Sequence, residues 1–269
     1  MSISLWQAAV GLFVSTFAST LLPSLYFHKY SAWMHHHPVN SVLNMVFVDY
    51  SYVWFTIMFS GYGIWAYLYQ SRYHVFRVFV AYAAYLVSGI VCTVWFFGAC
   101  LFERVEVAFG GHCDVGGGNS GMSHAACDAT DGGVWVGGFD TSGHYFVLLS
   151  LSLLSVDQLV CLRLVGNQRS DRYQERSDEY QGRNDNGNVS GTVDVGLAPS
   201  PESVLVSSQL LRALILTVSL CLFGLWYLEF CITSLFFHTP TERLTGLLLG
   251  LTIPMLVHYK LAPTQRVSS

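Results

Sequence analysis

The chain has 269 residues, of which 52% are hydrophobic and only 11% charged. Soluble domains carry about 25% charged residues, so this composition excludes an ordinary soluble domain and indicates a membrane-embedded one. The net charge of −4, with no Lys/Arg block, gives no footprint for a nucleic-acid partner.

A helix that spans a bilayer needs about 20 apolar residues. Six runs qualify: about 4–27, 46–69, 79–101, 143–165, 209–236 and 244–262. The expected fold is an all-α membrane protein with six transmembrane helices, forming a single polytopic domain over 1–269. The first run lacks a basic leading segment and is too long for a signal peptide, so it reads as a helix. Basic residues set the orientation. Ten of them lie in or beside the second loop, the fourth loop and the C-terminal tail, against three on the other side (Lys29, Arg104, Arg243). Both termini are therefore expected in the cytosol, and the first, third and fifth loops in the lumen or exterior.

The first luminal loop carries His35, His36 and His37. Consecutive histidines cannot all face one ion, and no metal-ligand spacing accompanies them, so no metal and no cofactor is expected. In the second helix, Asn44 and Asp49 lie near the luminal end and are candidates for polar support of a site there. The third loop (102–142) is glycine-rich and holds Cys113 and Cys127. In an oxidising lumen these two either pair or stay free thiols. Gly116, Gly118 and Gly121 follow a G-x-G-x-x-G spacing, but no strand–helix context supports nucleotide binding.

The stretch FDTSGHYF (139–146) opens the fourth helix. Asp140, Thr141 and Ser142 are candidate helix caps. A helix N-terminus favours an anion, and Gly143 permits close backbone approach. His144 stands at this edge. Polar segment 166–208 then has the composition of a disordered cytosolic linker; its Asn188 sequon is expected to stay unmodified. The fifth helix leads to HTPTER, in which Glu242 follows His238 by four residues. On a helical turn Glu242 would hold one ring nitrogen of His238 and leave the other as nucleophile. His144 would act as general acid. Arg243, Lys29 and Arg104 are the luminal cations available to a phosphate. Asp157 lies about 20 Å along the helix from His144, too deep for that phosphate. Gly246 and Gly250 form G-x-x-x-G, a close-packing motif.

GGVWVGGFDTSGHYFVL (132–148) resembles the signature of the fat storage-inducing transmembrane (FIT) proteins. VLNMVFVDYSYVWFT (42–56) and SLFFHTPTERLTGLLLG (234–250) resemble two further family segments. The resemblance implies a multi-pass protein of the endoplasmic reticulum, related to the lipid phosphatase superfamily. It implies cleavage of fatty acyl-CoA at its diphosphate, giving acyl 4′-phosphopantetheine and 3′,5′-ADP, in support of lipid-droplet formation and ER lipid homeostasis. It carries over His238 as nucleophile and His144 as proton donor. The candidate site is thus His144, His238 and Glu242 for catalysis, with Asp140, Ser142, Gly143, Arg243 and Asn44 contacting substrate. The sequence departs from the superfamily in lacking its basic motif and Ser-Arg pair. A non-catalytic binder of diacylglycerol or triacylglycerol is the alternative, and a proton-coupled transporter using Asp49, Asp157 and Glu229 a more distant one.

Overall fold

A computed structural model describes residues 4–94, 99–162, 164 and 201–261. The expected linker at 166–208 lies outside the described residues as far as 200, as does Asn188; the final long helix pair begins at 201.

The described chain is mostly helical. Helix α1 (Leu5–Phe27) starts at a capping box in which Ser4 and Gln7 exchange backbone and side-chain bonds. A tight turn at His28–Tyr30 leads into α2 (Ser31–His36) and α3 (Pro38–Leu43). His37 is extended, as a residue before proline prefers, and separates the two. A π-helical turn, Asn44–Asp49, follows, and then α4 (Ser51–Tyr69). The chain bends by 51° at that break. Next come α5 (Arg72–Gly89), which ends in a second π turn at Ile90–Val94, and the short α6 (Leu101–Ala108).

The segment after α6 corrects the all-α expectation. It holds β1 (His112–Val115), β2 (Gly118–Ser120) and β3 (Gly133–Val136), an antiparallel sheet in the order β2-β1-β3, with the one-turn α7 (His124–Asp128) between the last two. Cys113 and Cys127 are disulfide-bonded, Cα atoms 5.7 Å apart, which ties β1 to α7. Then come α8 (Gly143–Cys161), α9 (Pro201–Phe236) and α10 (Pro240–Lys260).

Among the described residues, four helices are long and apolar enough to cross a membrane, or five if the bent pair Pro38–Asp49 and Ser51–Tyr69 counts as one span. They overlap the first five predicted runs, with the third shifted to Arg72–Val94 and the fourth ending at Cys161. The sixth, now α10, carries Glu242, Arg243 and Lys260 and does not meet the same measure. Bulky apolar side chains such as Leu22, Leu25, Tyr67 and Phe79 face outward, the arrangement a lipid surroundings favours.

Helix α8 is the centre of the bundle and is buried almost throughout. Its main partner is α10. The two glycines of α10 explain the fit. A Cβ on Gly246 would stand 2.5 Å from the Ser142 carbonyl oxygen, and one on Gly250 would stand 3.0 Å from that of Tyr145. Only hydrogen fits there, so the G-x-x-x-G pattern sets the first turn of α8 directly against α10.

The end of the bundle away from His144 is held by charge. Arg77 Nη2 lies 2.8 and 2.7 Å from the two carboxylate oxygens of Asp157, and both side chains are 2% exposed. His258 Nδ1 lies 2.7 Å from Asp157 Oδ1, and its ring stacks on Trp6 with centroids 4.0 Å apart. Helices α5, α8 and α10 thus meet at one carboxylate, and α1 packs on the cluster through Trp6. Arg77, counted above with the loop charges, is part of this buried cluster.

Candidate active site

The predicted site residues come from three separate stretches, and the fold brings most of them together. Ser142 caps α8: its hydroxyl accepts from the Tyr145 N–H at 3.3 Å. The first N–H groups of α8, at Gly143 and His144, have no acceptor within their own helix, so the turn presents positive potential at this edge.

His238 lies just after α9, with φ at +57°, in the left-handed region. A non-glycine residue pays about 1 kcal/mol or more for that conformation, and such strain collects at functional positions. The twist ends α9 and aims the ring back over the start of α8. The His144 and His238 ring centroids are 6.4 Å apart.

Each ring has its own partner. His238 Nδ1 is 3.2 Å from Asp140 Oδ2, so the carboxylate engages one ring nitrogen and not the other. His144 Nε2 is 2.6 Å from Asn44 Oδ1. Asn44 Nδ2 in turn lies 3.3 and 3.4 Å from the two Asp49 oxygens. Asn44, expected to give the site polar support and to contact substrate, has its carbonyl on the histidine.

Glu242 was expected to hold the His238 ring, but it takes a different place. Thr239 is the N-cap of α10, Pro240 fills the first position, and Glu242 falls at the third. One Glu242 oxygen accepts from the Thr239 N–H at 2.7 Å, and the other from the Asp140 N–H at 3.3 Å. The Glu242 carbonyl also accepts from the Ser142 N–H at 3.3 Å. Glu242 therefore fastens the loop before α8 to the start of α10, and so fixes the two histidine motifs relative to each other.

Arg243 is not at the open face. It is fully buried, and its guanidinium donates to the Ser234 carbonyl and to Ser24 Oγ, the latter at 2.7 Å. Lys29 sits over the Tyr26 and Tyr30 rings at 3.9 and 4.9 Å, and Arg104 donates to the Ala99 carbonyl at 2.8 Å. Another histidine approaches the pair. His35 is close enough to interact electrostatically with His144, and its ring lies 6.5 Å from that of Phe237, beside His238. Its place in a run of three histidines hid this from the sequence. Among the described residues, no group of three or more His, Cys, Asp or Glu converges as a metal site would.

The arrangement can do in-line phosphoryl chemistry: one imidazole braced by a carboxylate, a second braced at its far nitrogen, and a helix N-terminus for an anion between them.

The model of the family described as fat storage-inducing transmembrane protein matches residues 33–258. A curated relative from Schizosaccharomyces pombe, named acyl-coenzyme A diphosphatase fit1, is 24% identical over 244 residues, which cover 87% of this chain and 78% of the relative. No solved structure matches the chain.

Proposed function

We propose that this chain, which belongs to the fat storage-inducing transmembrane protein family, hydrolyses the diphosphate of fatty acyl-CoA. The observation that carries the reading is the facing histidine pair, with Asp140 behind His238 and Asn44 behind His144. The name of the relative points to the same substrate class.

In this mechanism Asp140 accepts from His238 Nδ1–H and keeps the Nε2 lone pair free. Nε2 attacks one phosphorus of the diphosphate. The bridging P–O bond breaks and the other phosphate leaves. His144, protonated, gives that leaving oxygen its proton from Nδ1. His144 is then a base and takes a proton from water, which hydrolyses the phosphohistidine and frees His238. The sum is one water consumed, with acyl 4′-phosphopantetheine and 3′,5′-ADP formed. The first turn of α8 stabilises the phosphate charge. The two-histidine design is of the lipid phosphatase type.

The site lies at one end of the bundle, where an amphiphile can keep its chain in lipid and its diphosphate at the rings. The charge asymmetry of the loops supports a luminal position in the endoplasmic reticulum, with both termini cytosolic. It also supports α10 as a sixth crossing of a single polytopic domain, and 166–208 as a cytosolic linker. The biological role is then supply of lipid intermediates for droplet formation and membrane homeostasis. An acceptor sequon inserted near Gly117 should be glycosylated while Asn188 stays bare; the reverse pattern would invert the orientation. Product identity tests the chemistry: oleoyl-CoA should yield oleoyl 4′-phosphopantetheine and 3′,5′-ADP in equal amounts, and free phosphate as the sole product would indicate a monoesterase.

One feature favours a second reading, neutral-lipid binding without catalysis. An apolar groove of about 550 Å³ runs along α5 past Phe79, Ala83, Ala84, Val87 and Cys92 to Ile253. On that reading, diacylglycerol or triacylglycerol binding persists when both histidines are replaced.

A further inference from the structure

Asn44 and Asp49 open and close the π-helical turn between α3 and α4. In an α-helix, residues five apart project about 140° from each other around the axis. The wider π turn bonds i to i+5 and brings those positions to one side. Here it lets the Asn44 amide nitrogen meet both Asp49 oxygens, at 3.3 and 3.4 Å.

That contact has a consequence for His144. An ionised carboxylate only accepts hydrogen bonds. Asp49 therefore turns the NH2 of Asn44 toward itself and the carbonyl oxygen away. The carbonyl oxygen is 2.6 Å from His144 Nε2. It also only accepts, so Nε2 must carry a hydrogen. Nδ1 is then the nitrogen that gains and loses a proton at the open side of the ring.

We infer that Asp49 is a positioning residue: through Asn44 it holds His144 as the Nε2–H tautomer and presents Nδ1 to the substrate. The catalytic consequence rests on the diphosphatase reading; the tautomer does not. A π turn that only satisfied its own backbone would not need a carboxylate five residues from an asparagine, nor direct that asparagine at a histidine on another helix. The other titratable groups near the His144 ring are His238, Asp140 and His35, each from a different segment. Among the described residues, Asn44 supplies the hydrogen bond that distinguishes one ring nitrogen from the other.

The test uses the full chain in detergent with ring-15N histidine. The His144 resonances are identified by their loss in His144→Gln. In the wild type, His144 should appear with hydrogen on Nε2. Asp49→Asn offers Asn44 both a donor and an acceptor, so both tautomers should be populated. With oleoyl-CoA, kcat should fall about 10-fold in that variant, part of the roughly 10²–10⁴ that a positioned acid contributes. KM should stay within about 2-fold, since uniform binding is untouched, and Asp49→Glu should restore both the spectrum and kcat. A wild-type spectrum and kcat in Asp49→Asn would overturn the assignment. If the wild type releases no 3′,5′-ADP, the diphosphatase reading fails, and the ring spectra still decide: unchanged resonances in Asp49→Asn refute the role of Asp49, and mixed tautomers uphold it.

Discussion

Asp140 stands four residues before one histidine of the pair and grips the other. Its Oδ2 is 3.2 Å from His238 Nδ1, while His144 is the second residue of the helix that follows. The two motifs are therefore interlocked, and neither is complete alone. Replacing Asp140 by Asn keeps the size but removes the charge that steadies an imidazolium. The expected outcome is a fall in kcat of about 10² with KM little changed, because the loss is felt as charge develops on the ring. Steady-state kinetics on purified Asp140→Asn checks it; a change confined to KM would give Asp140 a role in binding only.

Asp157 is the keystone of the opposite end. Removing it leaves the Arg77 guanidinium buried with no counter-charge, a change that costs about 3–5 kcal/mol for a buried pair. Asp157→Ala should therefore unfold at markedly lower temperature in detergent. The double variant Arg77→Met/Asp157→Leu should recover most of the loss, since burying two apolar chains avoids the desolvation. Equal instability of the single and double variants would mean that the charges themselves are required.

How much of this was visible in the sequence depends on the residue. The start of α8 was legible, because Ser142 is a strong cap and an apolar run follows it. Close packing at Gly246 and Gly250 was legible from their spacing. The shared face of His144 and His238 followed from counting helices. The acid that holds His238 was not legible. The i, i+4 spacing of His238 and Glu242 suggests a helical pair. However, the left-handed backbone at His238 breaks the helix, and Pro240 restarts it with Glu242 at a capping position. Backbone donors at Thr239 and Asp140 then claim the carboxylate. The partnership of Arg77 and Asp157, 80 residues apart, leaves no local pattern. The small sheet was hidden for another reason: its strands are three and four residues long and sit among glycines.

Glu106 gives the region around the sheet a pH dependence. Partial burial raises its carboxyl above the ordinary value, and the negative charge of Asp140 adds to this, against smaller opposing effects of His124 and Trp135. A raised value in the folded state means that the neutral form is favoured on folding. Stability from Glu106 is thus present below its ordinary value and is lost as pH rises through the raised one. Protection factors of residues 112–136, which compare hydrogen exchange with the intrinsic rate at the same pH, should be higher at about pH 4 than at about pH 7 in the wild type, and this difference should shrink in Glu106→Gln. An undiminished difference in that variant would assign the effect to another group.

The most direct test of the account is the rate of 3′,5′-ADP release from oleoyl-CoA by the purified wild type and by His238→Ala, with thermal unfolding run alongside to show that both are folded. The account predicts release by the wild type and a loss of at least about 10³-fold in the variant, as expected when a covalent nucleophile is removed. Release by a folded His238→Ala protein at the wild-type rate would contradict it.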